Sequence, residues 1–289
     1  MYILLKVIAL LPLSILQLIA SFISLILNSF NSSLKRISSI NLKIAYPELS
    51  VEDHAKLVKK SVKSQCFTYI EFIKCWGMSP EYSLSLLKNI QGEQVFTDAL
   101  ANGKGVIVVV PHFGSWELLN AWLNVYATPV IMYKPNKNAG INRYVLEARE
   151  KFNATLVPTD ETGIRSIFKH LKKGGLTVIL PDHVPKPTGG IYSNFYGQNT
   201  LSSTLVSKLA SKTQCNVIGL SCIRDTQNPQ HFSVVCQALS SDILSKDLQR
   251  SVDTLNLEMQ KIIDVAPEQY IWSYKRFRRL SDQSNIYKK

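Results

Sequence analysis

Several motifs that would identify common enzyme classes are missing from this chain of 289 residues. It contains no Gly-x-Ser-x-Gly nucleophile elbow, so a serine acyl-enzyme of that type is not expected. Neither Gly-x4-Gly-Lys nor Gly-x-Gly-x-x-Gly occurs, which argues against nucleotide hydrolysis and dinucleotide binding. Cys-His clusters and histidine pairs at ligand spacing are missing too. We therefore expect neither a metal ion nor another cofactor.

Cysteines and acidic residues are both scarce. The five cysteines are odd in number and form no Cys-x-x-Cys pair, which favours a reduced, cytosol-facing domain with cysteines as small core residues. The 33 lysines and arginines outnumber the 21 acidic residues, for a net charge of +12. This excess favours anionic partners, namely phospholipid surfaces, phosphorylated glycolipids, acidic carrier proteins or nucleic acid.

The N-terminus carries a long uncharged segment. Residues 7–28 contain no charged side chain and are long enough to cross a bilayer. No Ala-x-Ala-like site follows, which argues against a cleaved signal peptide, whereas a helix lying in the interface and bent at Pro12 stays open. We predict a single-pass anchor over residues 1–30 and a main domain over residues 31–289. Lys35, Arg36 and Lys43 outnumber Lys6, which places that domain on the cytoplasmic side.

The stretch from residue 105 to 122, GVIVVVPHFGSWELLNAW, has the pattern of a buried strand followed by a helix. Pro111 ends the strand because it cannot donate to a ladder, and Gly114 and Ser115 provide turn and cap chemistry. His112 therefore lies between strand and helix, the usual position of a ligand crevice in an open α/β sheet.

Further strands and helices alternate downstream. We predict strands at 128–133, 154–158, 176–180, 216–223 and 231–237, and helices at 45–80, 141–152, 162–173, 201–212 and 248–265. This alternation predicts an α/β fold with a largely parallel central sheet flanked by helices. Neither repeats nor low-complexity linkers interrupt it.

A base and a carboxylate come close together in this stretch. On a continuous helix His112 and Glu117 would face different sides, but a tight turn between them lets Glu117 approach the imidazole. A carboxylate there can fix the tautomer and stabilise the imidazolium. A histidine with a glutamate five residues later also occurs by chance, so the strand and turn around the pair carry the prediction. Without a nucleophile, the dyad suggests direct deprotonation of a substrate hydroxyl.

Other charged residues follow strand ends. Asp182 ends a strand as His112 does, so the two should be neighbours at the carboxyl edge of the sheet, although Asp182 could instead cap the following loop. Lys134 and Arg149 could bind phosphate or be ordinary surface charges. The run Lys275–Arg279 interleaves charge with an aromatic residue, as nucleic-acid binders do. Because the same chain carries an apolar N-terminal segment, we expect this basic run to bind lipid or an acidic carrier protein rather than nucleic acid.

These residues fall within four blocks, in order, that resemble the bacterial lipid A late acyltransferase (lauroyl/myristoyl acyltransferase) family, itself similar to the glycerolipid acyltransferases with His-x4-Asp. The blocks are PHFGSWE at 111–117, YKPN at 133–136, LPDH at 180–183 with Gly189, Gly190, Phe195 and Gly197, and APEQYIW at 266–272 before Lys275, Arg276 and Phe277. Lys134 stands where many members have arginine.

The resemblance implies a membrane-anchored O-acyltransferase of the bacterial inner membrane. It implies His112 as base and Glu117 as its orienting group, with substrate binding by the residues Arg149, Asp182, Lys134, Asn136 and Arg276. The donor would be an acyl carrier protein or acyl-CoA thioester, and the acceptor a hydroxyl of a lipid A precursor, a phosphorylated glycolipid. Two alternatives stay open: another phospholipid or glycolipid acceptor, and a membrane-tethered lipid-binding protein with an inactive crevice.

Overall fold

The computed structural model describes residues 1–288, so Lys289, the last residue of the predicted main domain, lies outside it. The helices are α1 Tyr2–Leu10, α2 Leu13–Ser29, α3 Ser33–Ala45, α4 Val51–Gly77, α5 Pro80–Leu86, α6 Glu93–Ala101, α7 Leu119–Tyr126, α8 Ala139–Lys151, α9 Glu161–Lys172, α10 Leu205–Thr213 and α11 Leu248–Ile263. The strands are β1 Leu87–Gln91, β2 Val106–Val109, β3 Val130–Tyr133, β4 Thr155–Pro158, β5 Leu176–Ile179, β6 Gly190–Phe195, β7 Gln198–Ser203, β8 Asn216–Arg224 and β9 Phe232–Ala238.

Seven strands form the central sheet in the order β1-β9-β8-β2-β5-β3-β4. The neighbours from β8 to β4 all run parallel, whereas β9 is antiparallel to β8 and β1 is parallel to β9. The prediction of a largely parallel sheet flanked by helices is confirmed. The edge strand β1 was missed, because its residues are mostly exposed and polar and lack the apolar pattern of the inner strands.

Strand β2 separates the two apolar layers of the protein. Ile107 and Val109 belong to the core cluster on one face of the sheet, and Val106 and Val108 belong to the cluster on the other. All four residues are buried because helices cover both faces, which explains the continuous run of β-branched residues in the sequence.

The segment 190–203 differs from the sequence prediction. We expected a helix from Leu201, but Leu201 pairs with Tyr192 in an antiparallel hairpin of β6 and β7, and the helix begins at Leu205. The hairpin turns at Tyr196 and Gly197, both with positive φ. Its serine and threonine residues resemble a helix start in sequence. In the structure the Thr200 hydroxyl donates to the Arg279 carbonyl and the Ser202 hydroxyl accepts from Asn256, tertiary contacts that the local pattern does not report.

The predicted N-terminal transmembrane helix is two helices. Within residues 1–288, no single helix is both long and apolar enough to span a bilayer, and α1 and α2 meet that criterion only as a pair bent by 115°. The break falls at Leu11, whose backbone is extended, because a residue before proline disfavours the helical region. The prediction of a single transmembrane helix was therefore wrong. The alternative, a helical segment bent at Pro12, agrees with the observed break.

Helix α2 packs on α4 with one side and exposes the other. Leu16 and Ala20 are each only 1% exposed, whereas Phe22 and Leu25 are each 65% exposed. The Lys74 ammonium of α4 donates to the carbonyl oxygens of Ala9 and Leu11, where α1 ends. The N-terminal helices are therefore in direct contact with the rest of the protein.

Candidate active site

The pairing of β2 with β5 brings His112 and Asp182 together. Val109 is opposite Ile179 in this parallel pair. His112 lies three residues after Val109, and Asp182 lies three residues after Ile179. The His112 Nδ1 and an Asp182 carboxylate oxygen are 2.9 Å apart. The second Asp182 oxygen accepts from the His112 backbone N–H at 3.2 Å and from the Tyr270 hydroxyl at 3.0 Å. Three donors thus hold one buried carboxylate against the imidazole.

The charge of Asp182 determines which tautomer of the His112 imidazole is favoured. Burial by itself would raise the pKa of Asp182, but the adjacent His112 lowers that pKa well below its ordinary range, so Asp182 is ionised at neutral pH. An ionised carboxylate can only accept, so we assign the proton of a neutral His112 to Nδ1. Nε2 then carries the lone pair, and with 17% of the side chain exposed it can accept a proton from a bound molecule.

Aromatic rings restrict His112 on two sides. The His183 imidazole stacks on it with centroids 3.8 Å apart and planes within 4°, and Tyr274 stacks on the far face of His183 at 3.9 Å. Trp116 meets His112 edge to face at 5.0 Å. Burial lowers the pKa of His183 to about 4, so at neutral pH an uncharged ring lies against His112.

Stacking also bears on metal binding. His112, Asp182 and His183 each offer a ligand atom within 4.8 Å of the others, a grouping that the sequence prediction of no metal did not foresee. A histidine coordinates through a lone pair in its ring plane. Since the two rings are parallel and 3.8 Å apart, no single position lies in both planes. The expectation of no metal stays a prediction, and this geometry favours it.

Glu117 binds Arg149 rather than His112. Among residues 1–288 the hydrogen bonds of its carboxylate come from three side chains: Arg149 at 2.8 Å, Trp76 at 2.9 Å and Asn120 at 3.2 Å. The pair is largely enclosed, with Glu117 and Arg149 side chains 10% and 14% exposed. The predicted contact between Glu117 and His112 is therefore absent among the described residues, and Asp182 takes the place of Glu117 beside the imidazole. Asp182 reaches His112 because it follows the adjacent strand β5 in register, whereas Glu117 faces α4 and α8.

The remaining predicted binding residues differ in accessibility. Arg276 is 2% exposed and donates to the hairpin, through Thr200 Oγ1, the Leu201 carbonyl and Ser202 Oγ, so it braces β7 rather than opening to solvent. Lys134 and Asn136 lie on the exposed segment after β3. The Asn136 Oδ1 accepts from the Asn138 backbone N–H and shapes that turn.

Sequence reasoning assigned no role to Tyr270, His183 or Tyr274. Tyr270 was quoted only as part of the closing motif, yet burial raises its pKa far above the ordinary value and keeps its hydroxyl a donor to Asp182. The motif returns to the site because the Ile271 N–H donates to the His112 carbonyl. A cluster of aromatic residues in the last motif was the available signal, but it does not reveal a partner 88 positions away.

Comparisons with known proteins identify the family of this chain. The family model described as "Bacterial lipid A biosynthesis acyltransferase" matches residues 1–279. The chain is 22% identical to the lipid A biosynthesis lauroyltransferase of Escherichia coli (strain K12), over 82% of this chain and 77% of that protein. It is 23% identical to the lipid A biosynthesis palmitoleoyltransferase of the same organism, over 88% and 83%. A lipid A biosynthesis acyltransferase of Haemophilus influenzae (strain ATCC 51907 / DSM 11121 / KW20 / Rd) is 22% identical, over 86% and 76%. Since the family model covers nearly the whole chain, this protein belongs to the bacterial lipid A biosynthesis acyltransferase family and is an acyltransferase.

Proposed function

We propose that this protein transfers a fatty acyl chain from a thioester, carried by acyl carrier protein or coenzyme A, to a hydroxyl of a lipid A precursor. The observation that carries the proposal is the pair of His112 with the buried, ionised Asp182 at the carboxyl edge of the sheet. Family membership supports lipid A as the acceptor class.

In the proposed reaction, Nε2 of His112 takes the proton of the acceptor hydroxyl as its oxygen attacks the thioester carbonyl. Asp182 holds the Nδ1 proton and stabilises the imidazolium. The tetrahedral intermediate collapses with cleavage of the carbon–sulfur bond, and the imidazolium returns its proton to the departing thiolate. The new ester and the free thiol balance the reaction, and no group on the enzyme is acylated.

Two predicted residues take supporting roles in this proposal. Glu117, through Arg149 and Trp76, connects the turn after β2 to α8 and α4 and so positions the segment that carries His112. Lys134, exposed after the neighbouring strand β3, is the cation that we propose for an acceptor phosphate, with Asn136 shaping its turn.

We also propose that the protein associates with the cytoplasmic side of the inner membrane through α1 and α2. Their outward side is apolar and includes the exposed residues Ile3, Leu4, Val7, Leu10, Ile15, Leu18, Phe22 and Leu25. A bent pair with one side on α4 suits insertion of its apolar side into one leaflet.

The test measures acyl transfer by detergent-solubilised protein from an acyl carrier protein thioester to a lipid A precursor. His112→Ala and Asp182→Asn should each lower turnover by about 10²–10⁴-fold, since the first removes the base and the second its orienting charge. His231→Ala, which removes an imidazole that hydrogen-bonds to Asn228 and not to His112 or Asp182, is the matched control and should keep wild-type turnover. Near-wild-type transfer by His112→Ala would refute the mechanism. Binding of lipid A precursor without turnover by the wild type would instead support an inactive lipid-binding protein.

A further inference from the structure

A basic groove of about 700 Å³ lies between α9 and α10, apart from the residues assigned above. Arg165 and Lys169 are four residues apart on α9, and Lys208 and Lys212 are four apart on α10, so each pair projects from one side of its helix. All four side chains are exposed. The only carboxylate among the residues that line the groove is Glu161, which gives its walls a net charge of +3.

The floor between these charges is apolar. Ile164 and Phe168 of α9 face Leu205 of α10, and Ile164 is 37% exposed although it lies beside cations. A concave surface with an apolar floor and basic rims fits an amphipathic helix whose polar side is acidic. A bilayer fits this groove less well. The membrane-binding side proposed above belongs to α1 and α2, which pack against α4 and α8, whereas the groove is formed by α9 and α10.

One end of the groove is connected to the candidate active site by a short loop. Thr188 and Gly189 line the groove and lie six and seven residues after Asp182. Six residues span at most about 20 Å. The loop is fixed at both ends, since the Val184 N–H donates to the Tyr274 hydroxyl and the Gly189 carbonyl accepts from Thr204 at the start of α10.

We propose that this α9–α10 groove docks an acidic helix of the acyl carrier protein that delivers the thioester. The inference rests on the proposed acyl transfer and adds the surface on which the donor binds. Basic walls steer an acidic partner to the groove, and its position near Asp182 lets a flexible thioester arm extend from the docked carrier towards His112.

The experiment compares the double variant Lys208→Glu/Lys212→Glu with Lys88→Glu/Lys104→Glu. The second pair makes the same change in net charge at exposed lysines outside the groove. Each is assayed with acyl carrier protein thioester and with S-acyl-pantetheine, which has no protein to dock. The groove variant should raise KM for the carrier thioester by about 10-fold or more, with its rate on S-acyl-pantetheine unchanged, since repulsion replaces attraction at two positions. The control variant should behave as the wild type with both donors.

Other results separate the possible failures. Unchanged KM for the carrier thioester in the groove variant would overturn the docking surface, as would equal losses with both donors. Weaker binding to vesicles containing anionic phospholipid, with normal carrier KM, would assign the groove to the membrane and overturn the proposal. If the wild type transfers from neither donor, the proposed function fails, and titration of acyl carrier protein against both variants still tests the groove: equal affinities would refute it.

Discussion

Contact with His112 distinguishes Asp182 from Glu117, which is also buried and hydrogen-bonded. Asp182 is fully buried and receives bonds from His112 and Tyr270, so its negative charge is held in place before any substrate arrives. A fixed charge stabilises the developing imidazolium without reorganisation of solvent. At the residue scale, catalysis is therefore proposed to depend on His112 and Asp182, whereas Glu117 acts through its ion pair.

Arg149 provides a test of that division. Because it pairs with Glu117 in a largely enclosed position, we expect Arg149→Lys to weaken the pair and lower the melting temperature. Transfer to lipid A precursor and slow hydrolysis of the thioester by water should then fall together. Loss of transfer alone, with hydrolysis and melting temperature unchanged, would instead identify Arg149 as an acceptor-phosphate ligand.

His183 predicts a pH dependence of stability. Burial lowers its pKa from 6.5 to about 4, so between these values the unfolded chain binds a proton that the folded protein does not. Stability from this residue is therefore present above pH 6.5 and is lost as the pH falls towards 4. Urea unfolding at several pH values gives the free energy of unfolding as a function of pH. Between pH 4 and 6.5 this free energy should rise less steeply for His183→Gln than for the wild type, by the equivalent of up to about one proton. Equal slopes for both proteins would contradict a neutral, buried His183.

At the scale of elements, the two sides of α2 differ in their surroundings. Its inner side contributes to the core beside α4, and its outer side has the composition of a membrane-binding surface. The contacts of α1 and α2 with α4 also mean that deleting residues 1–30 would uncover buried side chains such as Phe67. Point substitutions therefore separate membrane binding from folding better than truncation.

Phe22→Ser/Leu25→Ser should weaken binding to phospholipid vesicles and leave the melting temperature nearly unchanged. Each side chain is 65% exposed, and transfer of a large apolar side chain from water contributes about 1.5–3 kcal/mol. Leu16→Ala is the matched control, since Leu16 is 1% exposed and its truncation should cost about 2–5 kcal/mol of stability without loss of vesicle binding. Full vesicle binding by the double variant would argue against membrane association through this side of α2.

At the scale of the whole molecule, a buried ion pair joins the sheet to α4. Arg224, at the end of β8, binds Glu71 of α4 and also donates to Ser64 and Thr68. The Arg224 and Glu71 side chains are 6% and 1% exposed. Helix α4 also supplies Trp76, which donates to Glu117, so the Arg224–Glu71 pair helps to hold α4 beside the candidate active site.

Removal of one partner should be costly for the whole fold. We expect Glu71→Ala to lower the free energy of unfolding by about 3–5 kcal/mol, because it leaves the Arg224 charge buried without a partner. Glu71→Leu/Arg224→Met should recover much of this loss, since it replaces both charges with apolar groups. Chemical denaturation of the three proteins measures this. If Glu71→Ala were as stable as the wild type, the pair would not join α4 to the sheet.

The sequence by itself determined the elements around the site. β-branched residues marked β2 because both of its faces are covered, Pro111 ended the strand, and Gly114 occupies a turn with positive φ where a side chain would collide with the Cys222 carbonyl. Such features are local, so periodicity and turn chemistry report them. Family motifs added the reaction class, since they record functional residues in order along the chain.

Only the tertiary structure decided which of these residues touch. The sequence placed Asp182 and His112 at the same edge of the sheet, but strand register decided that Asp182, 70 positions away, rather than Glu117 hydrogen-bonds to His112. The guanidinium of Arg276, which we predicted to bind substrate, is buried because it donates to a β-hairpin in a segment that the sequence pattern predicted to begin a helix. Pairing among several carboxylates and several cations depends on how strands and helices pack, and one-dimensional spacing does not contain that information.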